Sequence, residues 1–377
     1  MSFPLLQSSH PCRYSDPMNL PTRALRTLGA ASLGVGVAAL ASAVAVHVAG
    51  TKIRKTEDPL IDELLDIHTE VKHHHLPTRD GASIHVVERI GPPLPQHTDA
   101  QTPPAAKEST TLGQPVVLLH GVTLQWWVWG AQFNNLGPQH RVLAWDMRGH
   151  GESTVGSEGM TMEAIAHDLA ELLEFFDLNE AIVVGHSMGG MALGAFCADH
   201  LDAAHDRVAG LMFLASSAAT MAIPALTGGA VGVLQLLAST KLDLRQPNPQ
   251  RLWRNNNLSV VLVRWAFGRH PTAKAVEQVR LMLADSNPAI AQDAGRAIAA
   301  HDVVADLQHV RIPTLVVVGD RDRLTPPAHA EILLAAIPDS QLRLLPDIGH
   351  QVMQEDPAAL HRLIEELAAL PTSQKTL

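Results

Sequence analysis

The stretch VVGHSMGG, residues 183–190, places one serine between small residues at the end of an apolar run. Ser187 follows a predicted buried strand and precedes a predicted helix, which is the setting that makes a G-x-S-x-G sequence a nucleophile elbow. Gly185 and Gly189 would relieve crowding in such a tight turn, so that the serine backbone is strained and its hydroxyl projects. The structural alternative is a serine that only caps the following helix.

A serine hydroxyl is a weak nucleophile by itself and needs a histidine base that an acid orients. In this strand–turn–helix setting the three groups follow one another as serine, acid and histidine. His350, in DIGHQV, comes after the predicted strand QLRLLP, at the edge of an open parallel sheet that receives ligands. The loop after the preceding strand, VVVGDRDRLTPP, offers Asp320 and Asp322, and both remain open at this point.

The elements that would position these residues form a regular alternation. Apolar runs of five or six residues alternate with amphipathic helices, which predicts buried parallel strands in a doubly wound α/β fold. Two strands are predicted around a turn at Asp80-Gly81. The other predicted strands cover 115–120, 141–146, 181–186, 207–215, 312–319 and 341–346, and helices are predicted over 57–68, 126–136, 161–176, 328–337 and 357–370.

The alternation is interrupted, and the interruptions define the predicted domains. Residues 1–55 form an N-terminal tail, 56–217 the first part of the core, 218–310 a helical cap inserted between strands, and 311–377 the second part of the core. Residues 91–114 lack apolar periodicity and are predicted to be a flexible surface insertion. The cap carries no charge up to Thr240, which suits either a core-facing helix or an apolar lid.

From about residue 70 to 369 the chain resembles serine-type members of the α/β-hydrolase superfamily. The family pattern G-x-x-D-x-x-x-P falls on Gly319, Asp322 and Pro326, and this favours Asp322 over Asp320 as the acid. The GHSMGGM run and the N-terminal segment resemble membrane-associated actinobacterial-type hydrolases and monoacylglycerol lipases. The resemblance therefore implies a mostly parallel sheet and a triad of Ser187, Asp322 and His350.

The same resemblance assigns LLHG, residues 118–121, to the oxyanion hole. It implies that the backbone N–H groups of Val122 and Met188 bind the oxyanion. The sequence DMRGHGES, residues 146–153, matches the family's turn after the next strand. Within it, Asp146, Arg148 and His150 are interpreted as groups that fix the loop.

Composition excludes several other classes of function. A formal net charge of -10 disfavours nucleic acid as a partner. Cys12 and Cys197 are the two cysteines, and their positions suggest neither a disulfide framework nor a zinc site. His73 to His75 cannot all converge on one metal ion, because neighbouring side chains of a strand point to opposite faces. No metal and no cofactor is expected.

The N-terminal tail contains 22 residues without a formal charge, 28–49, between basic flanks. At about 1.5 Å per residue a helix of this length matches a bilayer core of about 30 Å. We therefore predict association with a membrane through a single-pass anchor. The alternative is secretion after cleavage of a signal peptide, at ASA (41–43), with translation from Met1 or from Met18.

The predicted activity is hydrolysis of carboxylic esters through an acyl-enzyme. Trp126 and Trp127 follow the oxyanion loop and could line an acyl pocket, or they could pack the following helix. Together with the apolar cap they predict lipophilic esters. Two alternatives use the same triad: perhydrolysis of the haloperoxidase type, without a cofactor, and hydrolysis of a C–C bond. A third is a non-catalytic scaffold that binds a lipid or a partner.

Overall fold

The computed structural model describes residues 44–90, 113–137, 139–220 and 256–370. The chain divides into a unit of residues 1–48 and a second unit of residues 49–377. The described part of the first unit, residues 44–48, is helical. Every element named below lies in the second unit.

Eight strands form one sheet in the described part of the chain. They are β1 (Val71–Pro77), β2 (Ser83–Arg89), β3 (Val116–Leu119), β4 (Val142–Trp145), β5 (Ala181–His186), β6 (Val208–Leu214), β7 (Thr314–Gly319) and β8 (Gln341–Leu345). Their order is β1-β2-β4-β3-β5-β6-β7-β8. β1 and β4 flank β2 in antiparallel pairs, and all other pairs are parallel. The predicted α/β class with a mostly parallel sheet is confirmed.

Helices cover both faces of this sheet. They are α1 (Pro59–Leu65), α2 (Gly130–Asn135), α3 (Met162–Phe175), α4 (Met188–Asp199), α5 (Leu201–Arg207), α6 (Asn257–Arg264), α7 (Ala273–Asp285), α8 (Pro288–Ala300), α9 (Pro327–Ala336), α10 (Val352–Glu355) and α11 (Pro357–Ala368). Short 3₁₀ helices span Trp126–Trp129 and Leu307–His309.

The hydrophobic core is split between the two faces. Along β5, Val183 packs in a cluster with residues of α3, α4 and α9, whereas Ile182 packs with residues of α2 and α11. Successive side chains of a strand point to opposite faces, so a strand that is buried on both sides reads as an uninterrupted apolar run. This is the physical reason why the runs in the sequence predicted the sheet.

Local hydrogen bonds explain where several helices begin. The Thr161 hydroxyl accepts a hydrogen bond from the Ala164 N–H at the start of α3, and the Asp356 carboxylate does the same for Ala359 in α11. Such a side chain satisfies one of the N–H groups that the first helical turn leaves unpaired.

The predicted helix over 126–136 differs from the structure. It forms two pieces, the 3₁₀ helix Trp126–Trp129 and then α2. The spacing of apolar residues does not distinguish a short 3₁₀ segment from the first turn of an α-helix.

Several predicted segments fall wholly or mainly outside the described residues. These are the insertion 91–114 except for 113–114, the uncharged start of the cap beyond 220, and the apolar segment 28–49 except for 44–49. Within the described ranges, no helix has the length and apolar character that crossing a bilayer requires. The described residues therefore give no support to the single-pass anchor that we predicted, and residues 28–43 of its segment lie outside them.

The part of the predicted cap that the structure describes, 256–310, is helical and contains α6, α7 and α8 between β6 and β7. The exact bounds of the cap and of the two core parts stay predictions.

Candidate active site

Ser187 occupies the turn between β5 and α4 in a conformation that few residues other than glycine adopt. Its φ is 53° and its ψ is -118°. The Ser187 N–H donates to the Leu214 carbonyl over 2.9 Å, and the Ser187 carbonyl accepts from the Ser216 hydroxyl over 2.8 Å. Strained backbone of this kind persists where surrounding structure fixes it, and it is concentrated at functional sites.

The two flanking glycines make this turn possible in different ways. A Cβ atom on Gly185 would lie 2.6 Å from the Gly189 carbonyl oxygen, so the expected crowding within the turn is present at that position. A Cβ atom on Gly189 would instead lie 2.5 Å from the Leu119 carbonyl oxygen, at the end of β3. Gly189 therefore allows the elbow to pack against the neighbouring strand.

Asp322 and His350 are hydrogen-bonded to each other. His350 Nδ1 lies 2.8 Å from Asp322 Oδ2 and donates its proton there. Asp322 Oδ1 accepts from the N–H groups of Leu324 and Thr325 over 2.8 and 3.0 Å. These bonds fix the imidazole with its proton on Nδ1 and leave Nε2 as the atom that can accept a proton. Asp320, by contrast, is paired with Arg321 over 3.6 Å.

Ser187 and His350 are linked through His186, the last residue of β5. His186 Nε2 donates to the His350 carbonyl over 2.9 Å, and the two rings lie 4.7 Å apart. Burial holds the pKa of His186 well below its ordinary value, so this side chain stays neutral. Among the hydrogen bonds of the described residues, none joins Ser187 Oγ directly to His350 Nε2.

The loop after β3, residues 120–123, passes directly beside Ser187. A Cβ atom on Gly121 would lie 3.1 Å from the Ser187 Cβ. The Val122 N–H belongs to this loop, and Met188, the fully buried first residue of α4, follows Ser187 directly in the chain. Both amides therefore come from segments that adjoin Ser187, as the assignment of an oxyanion hole requires.

Two buried histidines hold this loop. His120 Nδ1 donates to the Gly121 carbonyl over 2.7 Å, and its Nε2 accepts from the Met147 N–H over 3.0 Å. His150 Nε2 accepts from the Thr123 N–H over 3.1 Å. Burial lowers the pKa of His120 to about 3 and also lowers that of His150, so both rings remain acceptors at neutral pH.

Sequence reasoning missed the part played by His120 and gave His150 only a general loop-fixing role. The available signal was the pair of glycine-adjacent histidines in LLHG and RGHG. Asp146 and Arg148 have the structural roles expected of them. Asp146 accepts from His85 Nδ1 over 2.7 Å and from the Trp126 N–H over 2.8 Å, and Arg148 forms two hydrogen bonds with Asp168.

Trp126 and Trp127, for which the sequence left open an acyl pocket or packing of the following helix, lie against structural elements. Trp126 makes edge-on contacts with His73 and Phe133, at ring distances of 5.8 and 5.6 Å. Trp127 lines a cavity of about 370 Å³ together with residues of α1 and α7, among them Leu65 and Leu281. These environments correspond to the packing alternative, and a role in binding substrate stays a prediction.

The three consecutive histidines of β1 divide between the two faces of the sheet. His73 Nδ1 lies 2.8 Å from His85 Nε2, whereas His74 Nε2 lies 2.9 Å from Glu88 Oε2. In the ranges that the structure describes, no group of three histidine, cysteine or acidic side chains has an arrangement that could hold a metal ion.

Comparison with known proteins assigns the family. The model of the alpha/beta hydrolase fold matches residues 114–357, and the chain belongs to this family. The AB hydrolase superfamily protein YisY of Bacillus subtilis is 26% identical over 264 residues, which are 68% of this chain and 92% of that protein. A non-heme chloroperoxidase of Burkholderia pyrrocinia is 27% identical over 258 residues, 64% of this chain and 86% of that protein.

Solved structures agree with this assignment. A thermophilic esterase from Thermogutta terrifontis superimposes with a TM-score of 0.59 at 27% sequence identity, over 78% of this chain and 97% of that one. An esterase from Exiguobacterium antarcticum gives a TM-score of 0.62 at 18% identity, over 79% of this chain and 99% of that one. The chain is thus a hydrolase-fold protein whose relatives include esterases and a haloperoxidase.

Proposed function

We propose that the protein is a serine hydrolase that cleaves carboxylic esters. The observation that carries this proposal is the coincidence of two features at one edge of the sheet. Ser187 is held in a strained turn at the start of a helix. His350 has its proton fixed on Nδ1 by Asp322, and its carbonyl accepts one hydrogen bond from His186, the residue before Ser187. A scaffold that only bound a lipid would require none of this.

The reaction begins with proton transfer from Ser187 Oγ to His350 Nε2 while the oxygen attacks the ester carbonyl carbon. The carbonyl oxygen becomes an oxyanion that accepts hydrogen bonds from the N–H groups of Val122 and Met188. Each such donor contributes on the order of 3 kcal/mol to the transition state. His350 then protonates the leaving alcohol, and an acyl-Ser187 ester remains.

Deacylation repeats these steps with water. His350 accepts a proton from water as the hydroxide adds to the acyl carbon, and it then returns the proton to Ser187 Oγ as the carboxylic acid leaves. Asp322 stays ionised throughout and stabilises the imidazolium. In free enzymes the bond between nucleophile and base is often long and shortens only when substrate is bound, which agrees with the indirect link seen here.

The test is labelling with a fluorophosphonate, which reacts with an activated serine. We expect the wild-type protein to be labelled and Ser187→Ala to give neither labelling nor ester hydrolysis. Ser217→Ala is the matched control and should keep its labelling, because the Ser217 hydroxyl lies in the same loop after β6 but bonds the Ala219 carbonyl and His329 instead of the elbow. Equal labelling of wild type and Ser187→Ala would overturn the proposal.

The finer proposal is that the acyl group is lipophilic. It is supported by the uncharged sequence of residues 218–240. With p-nitrophenyl esters of increasing chain length, we expect kcat/KM to rise from the acetyl to the octanoyl ester. A clear preference for acetyl would contradict this proposal and leave the triad assignment untouched.

Perhydrolysis is the second candidate, because the relatives include the chloroperoxidase described above. In this reaction hydrogen peroxide replaces water in deacylation and gives a peracid, which oxidises a halide in solution. Bromination of monochlorodimedone in acetate buffer with bromide and peroxide distinguishes perhydrolysis from ester hydrolysis. A bromination rate that exceeds the rate of ester hydrolysis would favour perhydrolysis.

A further inference from the structure

The loop that carries His350 packs closely against a segment that precedes it by about eighty residues in the chain. This segment is residues 266–269, between α6 and α7. The His350 N–H donates to the Ala266 carbonyl over 2.8 Å, and the Arg269 N–H donates to the Asp347 carbonyl over 2.8 Å. A Cβ atom on Gly268 would lie 2.5 Å from the Gly349 nitrogen, so the two backbones are in direct contact.

The Glu355 carboxylate lies at this junction. Its Oε2 accepts from the Gly268 N–H over 2.6 Å. Its Oε1 accepts from the N–H groups of Gly349 and Gln351, over 3.1 and 3.2 Å. One side chain thus binds the residue before His350, the residue after it and the segment 266–269.

We propose that Glu355 is a positioning residue for His350, and that its ionised carboxylate holds the backbone on both sides of the base. The reason is geometric. The hydrogen bond to Asp322 holds the His350 ring at Nδ1. The position of Nε2 relative to Ser187 also depends on the backbone that carries the ring. A displacement of about 1 Å in a catalytic group can cost on the order of 100-fold in rate. The effect on catalysis rests on the function proposed above.

The electrostatic surroundings make the ionisation of Glu355 sensitive to pH near neutrality. Burial raises the pKa of Glu355 to about 7, although the three N–H donors and Arg264 favour the ionised form. A protonated carboxyl group is a weaker acceptor for these donors. Because burial raises this pKa, we expect the three N–H groups to face an ionised carboxylate above about pH 7 and a protonated, weaker acceptor below it.

Other charged groups on the surrounding elements have partners of their own. Arg264 donates to the carbonyls of Phe267 and Arg269, and the Asp356 carboxylate accepts from Ala359. Further charged side chains here are Asp347, which pairs with Arg269 and Arg321, and Arg323, which donates to the Trp265 carbonyl. The His350 imidazole also lies beside the junction, so a test must separate its effect from that of Glu355.

The kinetic test compares Glu355→Gln with Asp356→Asn. Both remove one carboxylate, and the asparagine of the second variant keeps an oxygen that can accept from the Ala359 N–H. We expect Glu355→Gln to lower kcat and the rate of fluorophosphonate labelling by about 10-fold or more, with KM within about twofold of wild type. For Asp356→Asn we expect kcat, KM and the rate of labelling to stay within about twofold of wild type. Indistinguishable kinetics for the two variants would overturn the proposal.

A second measurement does not depend on catalysis. In the Ser187→Ala protein, the amide resonances of Gly268 and Gly349 should shift with pH, with a midpoint near 7 for the Glu355 contribution. Adding Glu355→Gln should remove that contribution and leave any titration that comes from His350. If the resonances titrate identically with and without Glu355, the proposal is wrong. This result is independent of whether Ser187 is the nucleophile. If the Gln variant does not fold, adding His350→Gln to the Ser187→Ala protein should leave the Glu355 contribution in place, and its loss would contradict the proposal.

Discussion

At the scale of single residues, the chemistry of the site depends on which nitrogen of each histidine carries the proton. Asp322 accepts from two backbone N–H groups, from the Thr325 hydroxyl over 2.9 Å and from His350. These donors orient the carboxylate, and the carboxylate sets the tautomer of the base. His120 and His150 have the same kind of constraint, since each donates from Nδ1 to a carbonyl and accepts a backbone N–H at Nε2.

The first residue-scale prediction concerns Asp322. An amide in its place would present either an N–H group or a neutral oxygen to His350, so the imidazole tautomer would no longer be fixed. We expect Asp322→Asn to lower kcat by roughly 10⁴-fold, the order known for the loss of this orienting group. Steady-state hydrolysis of a p-nitrophenyl ester measures it.

Asp320→Asn is the control for that experiment. Its carboxylate pairs with Arg321 over 3.6 Å at the surface, and exposed pairs of this kind contribute little. We expect its kcat within about twofold of wild type. A larger loss in Asp320→Asn than in Asp322→Asn would reverse the assignment of the acid.

The sequence could predict some of these residues and not others. A local pattern separated Asp322 from Asp320 because the acid and its proline lie in one loop. The roles of His120, His150 and Glu355 depend on backbone N–H groups from other segments, and no local pattern shows where those groups lie. The same limit applies to Trp126 and Trp127, whose neighbours belong to β1, α1, α2 and α7.

At the scale of elements, the strand β5, the elbow and the helix α4 form one unit. The strand is buried on both faces, the turn holds Ser187 at positive φ, and Gly189 in the first turn of the helix packs against the end of β3. The apolar runs predicted this unit well, and the predicted strand 181–186 coincides with β5. The close approach of Gly189 to β3 was beyond prediction, because it is a contact between α4 and a strand that is distant in the sequence.

The substitution Gly189→Ala tests the close contact between α4 and the end of β3. The added methyl group would lie 2.5 Å from the Leu119 carbonyl oxygen and 2.6 Å from that of His120, and both atoms belong to the backbone. We expect a loss of about 1–3 kcal/mol in the free energy of unfolding, as is usual for overpacking. Urea denaturation followed by circular dichroism measures it.

Gly295→Ala is the matched control in α8. A Cβ atom there would meet nothing within 4 Å, so only helix propensity changes. We expect this variant to be more stable by up to about 1 kcal/mol. Equal stability of the two variants would show that the elbow relaxes away from β3 without cost.

At the scale of the whole molecule, the sheet brings together loops that are distant in the sequence. Ser187 follows β5, Asp322 follows β7 and His350 comes after β8, and β5 to β8 are consecutive neighbours in the sheet. Because these strands are parallel, their carboxyl ends meet at one edge, where ligands bind in folds of this type. Sequence predicted the strands and this edge, but not the spatial order, which depends on how the crossovers pack.

The bond between His186 and the His350 carbonyl joins residues 164 positions apart, and this separation has a consequence for biosynthesis. A chain is made from its N-terminus and its first parts begin to fold during synthesis. Ser187 emerges from the ribosome long before His350, and a serine without its base is a weak nucleophile. Under the proposed mechanism, the growing polypeptide therefore cannot attack esters until His350 has been translated.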